Sequence, residues 1–335
     1  MSENFDALLV LSFGGPERPE DVMPFLENVT RGRGVPRERL LEVAENYALF
    51  GGQSPINEQC RALISALRAE LDAHGVKLPI YWGNRNWHPF LEETMRTMSA
   101  DGVRRTLVFV TSAYGSYSAC RQYLEDIEKA KAAVGCDTPS YERLPHYCLL
   151  PGFVEPLIGN VSAAFERIPP QRRAAARLLF TAHSIPLAMA QTSDYLSQLK
   201  EVARLVAQGV PHPEYRLVFQ SRSGPPQQPW LEPDIRDALR AEAEAGMKDV
   251  VVAPIGFISD HMEVKFDLDT QARELAESLG VHMVRAATVG THPKFVAMIR
   301  ELIEQRLNGV REACPWPCTT TCCPPPQHTG RPVAR

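Results

Sequence analysis

Short runs of apolar residues alternate along the chain with longer amphipathic stretches. Continuous apolar runs are typical of strands buried on both faces of a parallel sheet. The runs lie at 6–12, 78–83, 105–112, 177–182, 215–220 and 249–255. Between them, apolar residues recur with helical spacing at 56–74, 89–99, 117–134, 192–208, 232–245 and 263–279. The alternation predicts an α/β protein with parallel sheets.

The two halves of the chain resemble each other in three places that follow in the same order. The matched pairs are 8–16 with 178–186, 82–92 with 219–232 after a three-residue insertion, and 102–112 with 246–256. This repetition predicts two similar, doubly wound Rossmann-like domains. It also places Phe13 of the first half in correspondence with His183 of the second.

The predicted domains divide the chain at a polar, proline-bearing segment, 168–176. We expect an N-terminal domain over 1–167, with a C-terminal helix over 290–308 packing back onto it. The C-terminal domain then covers 168–289. Residues 309–335 form a cysteine-rich tail.

Composition narrows the range of partners. The chain has 36 Lys and Arg against 40 Asp and Glu, and its net charge of −4 gives no electrostatic footprint for nucleic acid. No apolar run is long enough to predict a transmembrane helix. The first residues lack the basic stretch of a signal peptide, so we expect a cytoplasmic protein.

Candidate chemistry follows from the strand ends, because open α/β sheets bind ligands beyond the carboxyl ends of their strands. His183 directly follows a predicted strand, and an imidazole exchanges protons near neutral pH. Glu263 and Asp267 are four residues apart, share one helix face and have His261 beside them. Such a set suits a divalent cation. Acidic residues also favour the first turn of any helix, so a structural role stays open.

Two further groups carry possible ligands. The tail places Cys314, Cys318, Cys322 and Cys323 within ten residues, and neighbouring thiolates can hold zinc or an iron–sulfur cluster. Incidental thiols are the alternative. Arginines and hydroxyls at Thr30, Arg31, Arg33, Tyr47 and Ser54 suit carboxylate binding or ordinary surface exposure.

Seven motifs resemble those of the ferrochelatase family over about residues 5–307. They are SFGGP, FGGQSPIN, GNRNW, TSAYGSYSAC, TAHSIP, QSRSGPP and PIGFISDHMEV. The resemblance implies two chelatase-type Rossmann-like domains around a porphyrin cleft, and insertion of Fe²⁺ into a porphyrin in haem biosynthesis. The chain is most similar to the actinobacterial type, which implies coproporphyrin III as substrate in preference to protoporphyrin IX.

The resemblance also implies residue roles. His183 contacts the metal and, as a neutral imidazole, deprotonates the porphyrin, which requires activity to fall as pH drops through its pKa. Glu263 is its acidic partner, and Asp267 lies on the outer path of the metal. The positions that match porphyrin contacts are Phe13, Arg31, Tyr47, Ser54 and Tyr123. Phe13 departs from relatives that have a tyrosine there, so no phenol oxygen is available.

Some family members hold a [2Fe–2S] cluster on one internal and three tail cysteines. The resemblance implies Cys120, Cys314, Cys318 and Cys323 here, with Cys322 as the alternative to Cys323. It also allows transient contact with neighbouring enzymes of the haem pathway. Three alternatives stay open: a cobalt or nickel chelatase on the same fold, a sensor of haem or an iron–sulfur cluster without turnover, and a periplasmic-binding-type module.

Overall fold

The chain forms two four-stranded parallel sheets covered by helices in a computed structural model that describes residues 4–135, 137–211, 214–225, 227–311 and 322–325. The first sheet has the order β2-β1-β3-β4 and consists of β1 (Ala7–Ser12), β2 (Ile80–Asn84), β3 (Arg105–Val110) and β4 (Ser140–Arg143). The second has the order β6-β5-β7-β8 and consists of β5 (Arg177–His183), β6 (Tyr215–Gln220), β7 (Asp249–Ala253) and β8 (His282–Arg285). The predicted fold class is confirmed.

Helices connect the strands and cover both faces of each sheet. Those of the first half are α1 (Val22–Val29), α2 (Arg37–Ala48), α3 (Ile56–Ala73), α4 (Leu91–Ala100), α5 (Gln122–Val134), α6 (Pro151–Glu166) and α7 (Pro170–Arg173). Those that follow are α8 (Leu187–Gln191), α9 (Tyr195–Gln208), α10 (Ile235–Glu244), α11 (Met262–Phe266), α12 (Arg273–Ser278) and α13 (Pro293–Leu307). A 3₁₀ turn (Pro19–Asp21) precedes α1. π-helical turns precede α5 (Tyr117–Arg121) and join α11 to α12 (Asp267–Ala272).

Strand pairing tests the internal repeat. Leu8 pairs with Leu107 in the first sheet and Leu178 with Val251 in the second, which preserves the offsets of the first and third sequence matches. The middle match is wrong in detail. The Asn84 N–H donates to the Pro89 carbonyl, and the Phe219 N–H makes the same bond to Pro233. Pro233 is therefore the structural counterpart of Pro89, whereas the sequence match had chosen a proline four residues earlier.

Apolar side chains fill both faces of the sheets, as the continuous runs predict. Leu8 and Val10 of β1 face a core shared by both halves, and Leu9 and Leu11 face α4 and α5. Alternate side chains of a strand point to opposite faces of the sheet, so a strand without polar residues is buried on both faces. The shared core includes α6, which packs against α9, α13 and β7.

The C-terminal helix α13 packs on α3 and α6, both of the first half. The proposed domain limits themselves stay a prediction. Among the described residues, no helix is long and apolar enough to cross a membrane.

Candidate active site

β5 places His183 at the edge where ligands bind in folds of this kind. Its main chain pairs with Gln220 of β6, and the Tyr195 hydroxyl donates to the His183 carbonyl at 2.9 Å. The ring Nδ1 lies against the Ser184 carbonyl. A carbonyl only accepts, so Nδ1 carries a hydrogen and Nε2 is the atom left for acid–base chemistry.

The Glu263 carboxylate lies between two imidazoles. Its Oε1 is 3.2 Å from His183 Nε2, and its Oε2 is 3.8 Å from His261 Nε2. His261 caps α11 by accepting the Glu263 N–H on Nδ1 at 3.2 Å. Gln220 Nε2 donates to the Glu263 carbonyl at 2.7 Å. The first turn of α11 is thereby fixed to the end of β6, beside His183.

The two closest groups hold each other charged. Burial opposes the charge on His183, but the Glu263 carboxylate, the Ser184 carbonyl and the Asp267 charge together outweigh it and raise the pKa of His183 to about 9. Burial likewise opposes ionisation of Glu263, yet the His183 imidazolium lowers the pKa of Glu263 to about 2. Burial lowers the pKa of His261. The resting site therefore holds an imidazolium–carboxylate pair at neutral pH, which differs from the expected neutral His183 because Glu263 lies in direct contact with it.

Asp267 opens the π-helical turn and lies in the same electrostatic environment. Burial raises the pKa of Asp267 to about 6, and the Glu263 charge adds to the rise. The Ser221 hydroxyl donates to Asp267 Oδ2. Ser221 has a left-handed φ of 62°, which is uncommon for a residue with a side chain and often marks a functional position.

One aromatic side chain of the first half, Tyr47, lies near Glu263, and two further rings pack behind it in succession. Tyr47 lies in the last turn of α2, and its ring packs edge-on against Phe25 with centroids 6.1 Å apart. Phe25 packs in the same way against Phe13, at 6.2 Å. Burial and then the Glu263 charge raise the pKa of Tyr47, so its hydroxyl stays protonated. We call Phe13, Phe25 and Tyr47 the aromatic wall.

The structure does not bring the other proposed substrate contacts into this group. Ser54 is buried under the first-strand loop, where its N–H donates to the Pro16 carbonyl at 2.8 Å. Tyr123 is buried beneath the Arg85 guanidinium, 4.4 Å from its ring centroid. Arg31 is exposed and bonded to Asn28.

Several neighbours of the site were given no role from sequence. Tyr195, Gln220 and Ser221 each bond directly to a proposed catalytic or metal-path residue. Gln220 ends a predicted strand and Ser221 follows it, both inside the motif QSRSGPP. Their position at a strand end indicated that they lie near bound ligand. Tyr195 lies in an ordinary amphipathic helix and gave no such indication.

The proposed cluster ligands are described in part. Cys120 is buried within the π-helical turn before α5, and Arg143 Nη1 is 2.6 Å from its sulfur. Cys323 is buried and Cys322 half-buried. Cys314 and Cys318 lie outside the described residues. Within the described part of the chain, no group of three or more His, Cys, Asp or Glu side chains is arranged to hold a metal ion.

Comparison with known proteins identifies a family and several relatives of this chain. The ferrochelatase family model matches residues 5–307. A coproporphyrin III ferrochelatase from Streptomyces coelicolor is 52% identical over 333 residues, covering 94% of this chain and 88% of the relative. A ferrochelatase from Rhodopirellula baltica is 50% identical over 343 residues, covering 98% and 97%.

A solved structure of the sirohydrochlorin chelatase SirB from Bacillus subtilis subspecies spizizenii, in complex with cobalt, has a similar fold. The TM-score is 0.53 at 12% identity, over 90% of this chain and 94% of that one. At this identity the likeness shows the fold alone. The family match covers nearly the whole described chain and the relatives share half of its residues, so the chain belongs to the ferrochelatase family.

Proposed function

We propose that the protein is an enzyme that inserts Fe²⁺ into coproporphyrin III in the cytoplasm, as part of haem biosynthesis. The observation that carries the proposal is the 3.2 Å contact between His183 Nε2 and Glu263 Oε1 at the ligand-binding edge of the second sheet. The names of the relatives support iron as the metal and coproporphyrin III as the porphyrin.

The reaction replaces two inner N–H protons of the porphyrin by one Fe²⁺. His183 is the proposed acceptor, but at rest its Nε2 already carries a proton that Glu263 stabilises. A dication arriving at Glu263 offsets the charge of that carboxylate and lowers the pKa of His183. The imidazolium then releases its proton to solvent. Neutral Nε2 accepts one inner proton of the porphyrin, passes it to solvent, and then accepts the second. Asp267 is proposed to lie on the path by which the metal reaches Glu263.

The aromatic wall is proposed to contact the flat face of the ring. A porphyrin held bent turns its nitrogen lone pairs toward the metal, so binding energy used in this way lowers the barrier. Arg31, Ser54 and Tyr123 stay proposed contacts of the porphyrin periphery. The exposed Arg31 guanidinium suits a carboxylate of the substrate.

Steady-state formation of iron porphyrin tests the catalytic assignment. We expect His183→Ala and Glu263→Gln each to lower kcat by ~100-fold or more, the usual scale of a lost acid–base group. His74→Ala is the matched control, since His74 also pairs with a glutamate but lies on the surface. A wild-type chain that forms no iron porphyrin, or a His183→Ala variant that keeps the wild-type rate, contradicts the proposal.

The same assay decides the substrates. Coproporphyrin III carries more carboxylates than protoporphyrin IX, and we expect the higher kcat/KM with it. Parallel assays with Co²⁺ and Ni²⁺ separate an iron enzyme from a chelatase for those metals. A preference for protoporphyrin IX, or for either other metal, refutes that part of the proposal.

We further propose that Cys120, Cys314, Cys318 and Cys323 hold a [2Fe–2S] cluster, with Cys322 in place of Cys323 as the alternative. Two observations support the fit. The Arg143 guanidinium beside Cys120 favours the thiolate that a cluster requires. Arg311, at the start of the tail, bonds at 2.8 Å to Glu142, the strand neighbour of Arg143.

A bound cluster would supply a covalent link between the tail and the first half. The absorption spectrum and the iron and sulfide content of the purified protein test it. We expect Cys120→Ser to abolish both signals, and only one of Cys322→Ser and Cys323→Ser to do so. Cys60→Ser, at another buried cysteine, is the control. A wild-type protein without sulfide contradicts the cluster.

Removing residues 312–335 distinguishes an enzyme from a sensor. An enzyme whose chemistry lies at His183 should keep turnover and lose stability.

Transient contact with other enzymes of the haem pathway also belongs to this proposal, and co-purification with them tests it.

A further inference from the structure

We propose that Gln59, on the half of the molecule opposite His183 and Glu263, is a positioning residue for the Glu263 carboxylate. The inference rests on the proposed function. Gln59 lies on α3 in the first half. Its side-chain amide forms a pair of hydrogen bonds with the main chain of Asp260 in the second half. Gln59 Nε2 donates to the Asp260 carbonyl at 2.8 Å, and the Asp260 N–H donates to Gln59 Oε1 at 2.8 Å.

Asp260 is held from its own half as well. Its carboxylate accepts from Arg285 Nη2 at 2.8 Å and from the Thr288 hydroxyl at 3.0 Å. The main chain of Asp260 is therefore bound to the first half and its side chain to the second. Asp260 is therefore a junction between the two halves of the molecule, next to the candidate active site.

The junction is close enough to Glu263 to control its position. Only His261 and Met262 intervene, and His261 is already fixed as the cap of α11. A three-residue span reaches at most ~10 Å, so a shift at Asp260 passes on to the carboxylate. A misplacement of about 1 Å at a reacting group can lower the rate 100-fold.

Gln59 is not needed to join the halves. Elsewhere in the interface, the Gly115 N–H donates to Gln198 Oε1 at 2.7 Å, and the Tyr114 hydroxyl donates to the Ile255 carbonyl at 2.7 Å. The shared apolar core also spans both halves. Removing the Gln59 amide should therefore move the 259–263 loop and leave the assembly intact. Gln198→Ala is the matched control, because it removes a glutamine bond between halves that does not touch this loop.

The test compares Gln59→Ala with Gln198→Ala in steady-state assays with coproporphyrin III and Fe²⁺. We expect Gln59→Ala to lower kcat ~10-fold with less than ~2-fold change in the KM for porphyrin, because positioning acts on the reacting groups. Gln198→Ala should lower the melting temperature and keep kcat within ~2-fold of wild type.

Hydrogen exchange of the free proteins gives an answer that does not depend on turnover. Peptides covering 258–264 should exchange faster in Gln59→Ala and be unchanged in Gln198→Ala. Unchanged exchange in Gln59→Ala overturns the inference, as does faster exchange with wild-type kcat. An equal loss of kcat in both variants also overturns it, since general loosening of the interface then explains the effect. A wild-type chain that forms no iron porphyrin overturns the proposed function and, with it, the catalytic part of the inference. The exchange result still tests whether the Gln59–Asp260 contact holds the 258–264 segment.

Discussion

The His183 imidazole and the Glu263 carboxylate each hold the other in its charged form, and this sets how the site responds to pH. The raised pKa of His183, about 9 against an ordinary 6.5, stabilises the fold fully below pH 6.5 and not at all above about 9. The lowered pKa of Glu263, about 2 against 4.5, stabilises it above pH 4.5, and this contribution is lost toward pH 2. The pair therefore stabilises the fold most between these ordinary values.

Glu263→Gln should move the acid limb of the kcat/KM profile to lower pH. Without the carboxylate, burial is the main influence left on His183 and lowers its pKa, so the neutral acceptor persists in more acidic solution. The residual activity of the variant is measured from pH 5 to 10. An acid limb at the wild-type position would mean that another group controls it.

Asp267→Asn should stabilise the protein above pH 6. The pKa of Asp267 is raised from 3.8 to about 6, so its ionised form costs folding free energy that grows between these values and persists above them. Melting temperatures of variant and wild type should differ most at pH 7 to 8 and converge below pH 4. A variant less stable at pH 8 than at pH 4, relative to wild type, contradicts the expected sign.

The candidate catalytic residues were chosen from sequence, but the contact between them could not be predicted in this way. His183 and Glu263 stand in motifs at strand and helix ends, and those positions lie at a ligand-binding edge in any parallel sheet. That His183 touches Glu263, and is therefore charged at rest, depends on packing between segments 80 residues apart. Local spacing holds no information about such a contact.

At the scale of elements, the segment from Met262 to Ser278 shows the same limit. The apolar period predicted one helix over 263–279, and the bounds were nearly right. The π-helical turn over Asp267–Ala272 was not predicted. Arg285 on β8 bonds to Asp260 before this helix and to Asp269 within the turn, at 2.8 and 2.6 Å. This brace comes from β8, outside the helix, so the apolar period of 263–279 could not reveal it.

Two strands were also missed from sequence. β4 (SYER) and β8 (HMVR) lie at sheet edges and are four residues long. Edge strands are paired on one side only and tolerate charged residues. The other two edge strands, β2 and β6, are longer and carry apolar runs, whereas β4 and β8 do not.

Arg285→Met should destabilise the protein by ~2 kcal/mol, because it leaves two carboxylates without their shared cation. Thermal and urea unfolding measure the loss. Arg240→Met is the control, since Arg240 pairs with Asp237 on the open surface and such pairs contribute little. Equal stability of both variants would show that the brace does not hold the turn.

At the scale of the whole molecule, the two sheets share one core. Val10 and Phe109 of the first sheet and Phe180 and Val251 of the second belong to the same buried cluster. α6 lies between them and approaches its neighbours closely. A Cβ on Gly152 would come within 2.4 Å of Met298, and one on Gly209 within 2.4 Å of Ile158. Sequence predicted two domains but could not show that their interiors merge.

The protein should unfold in one transition, because separating the halves would expose to water the apolar core that they share. Calorimetric and van't Hoff enthalpies should agree in a reversible scan of the full chain. Gly152→Ala should lower the stability of both halves together, which fluorescence and circular dichroism would report as coincident curves. Two resolved transitions would mean that the halves fold independently.

The matching register of the two sheets also bears on ancestry. A half-length forerunner that associated with its own copy would have presented the same side chain from both partners at the equivalent of Phe13 and His183. Once joined in one chain, these positions are encoded separately and can diverge, so that phenylalanine stands at one and imidazole at the other. Fusion thus removes the requirement that the two equivalent positions carry the same side chain.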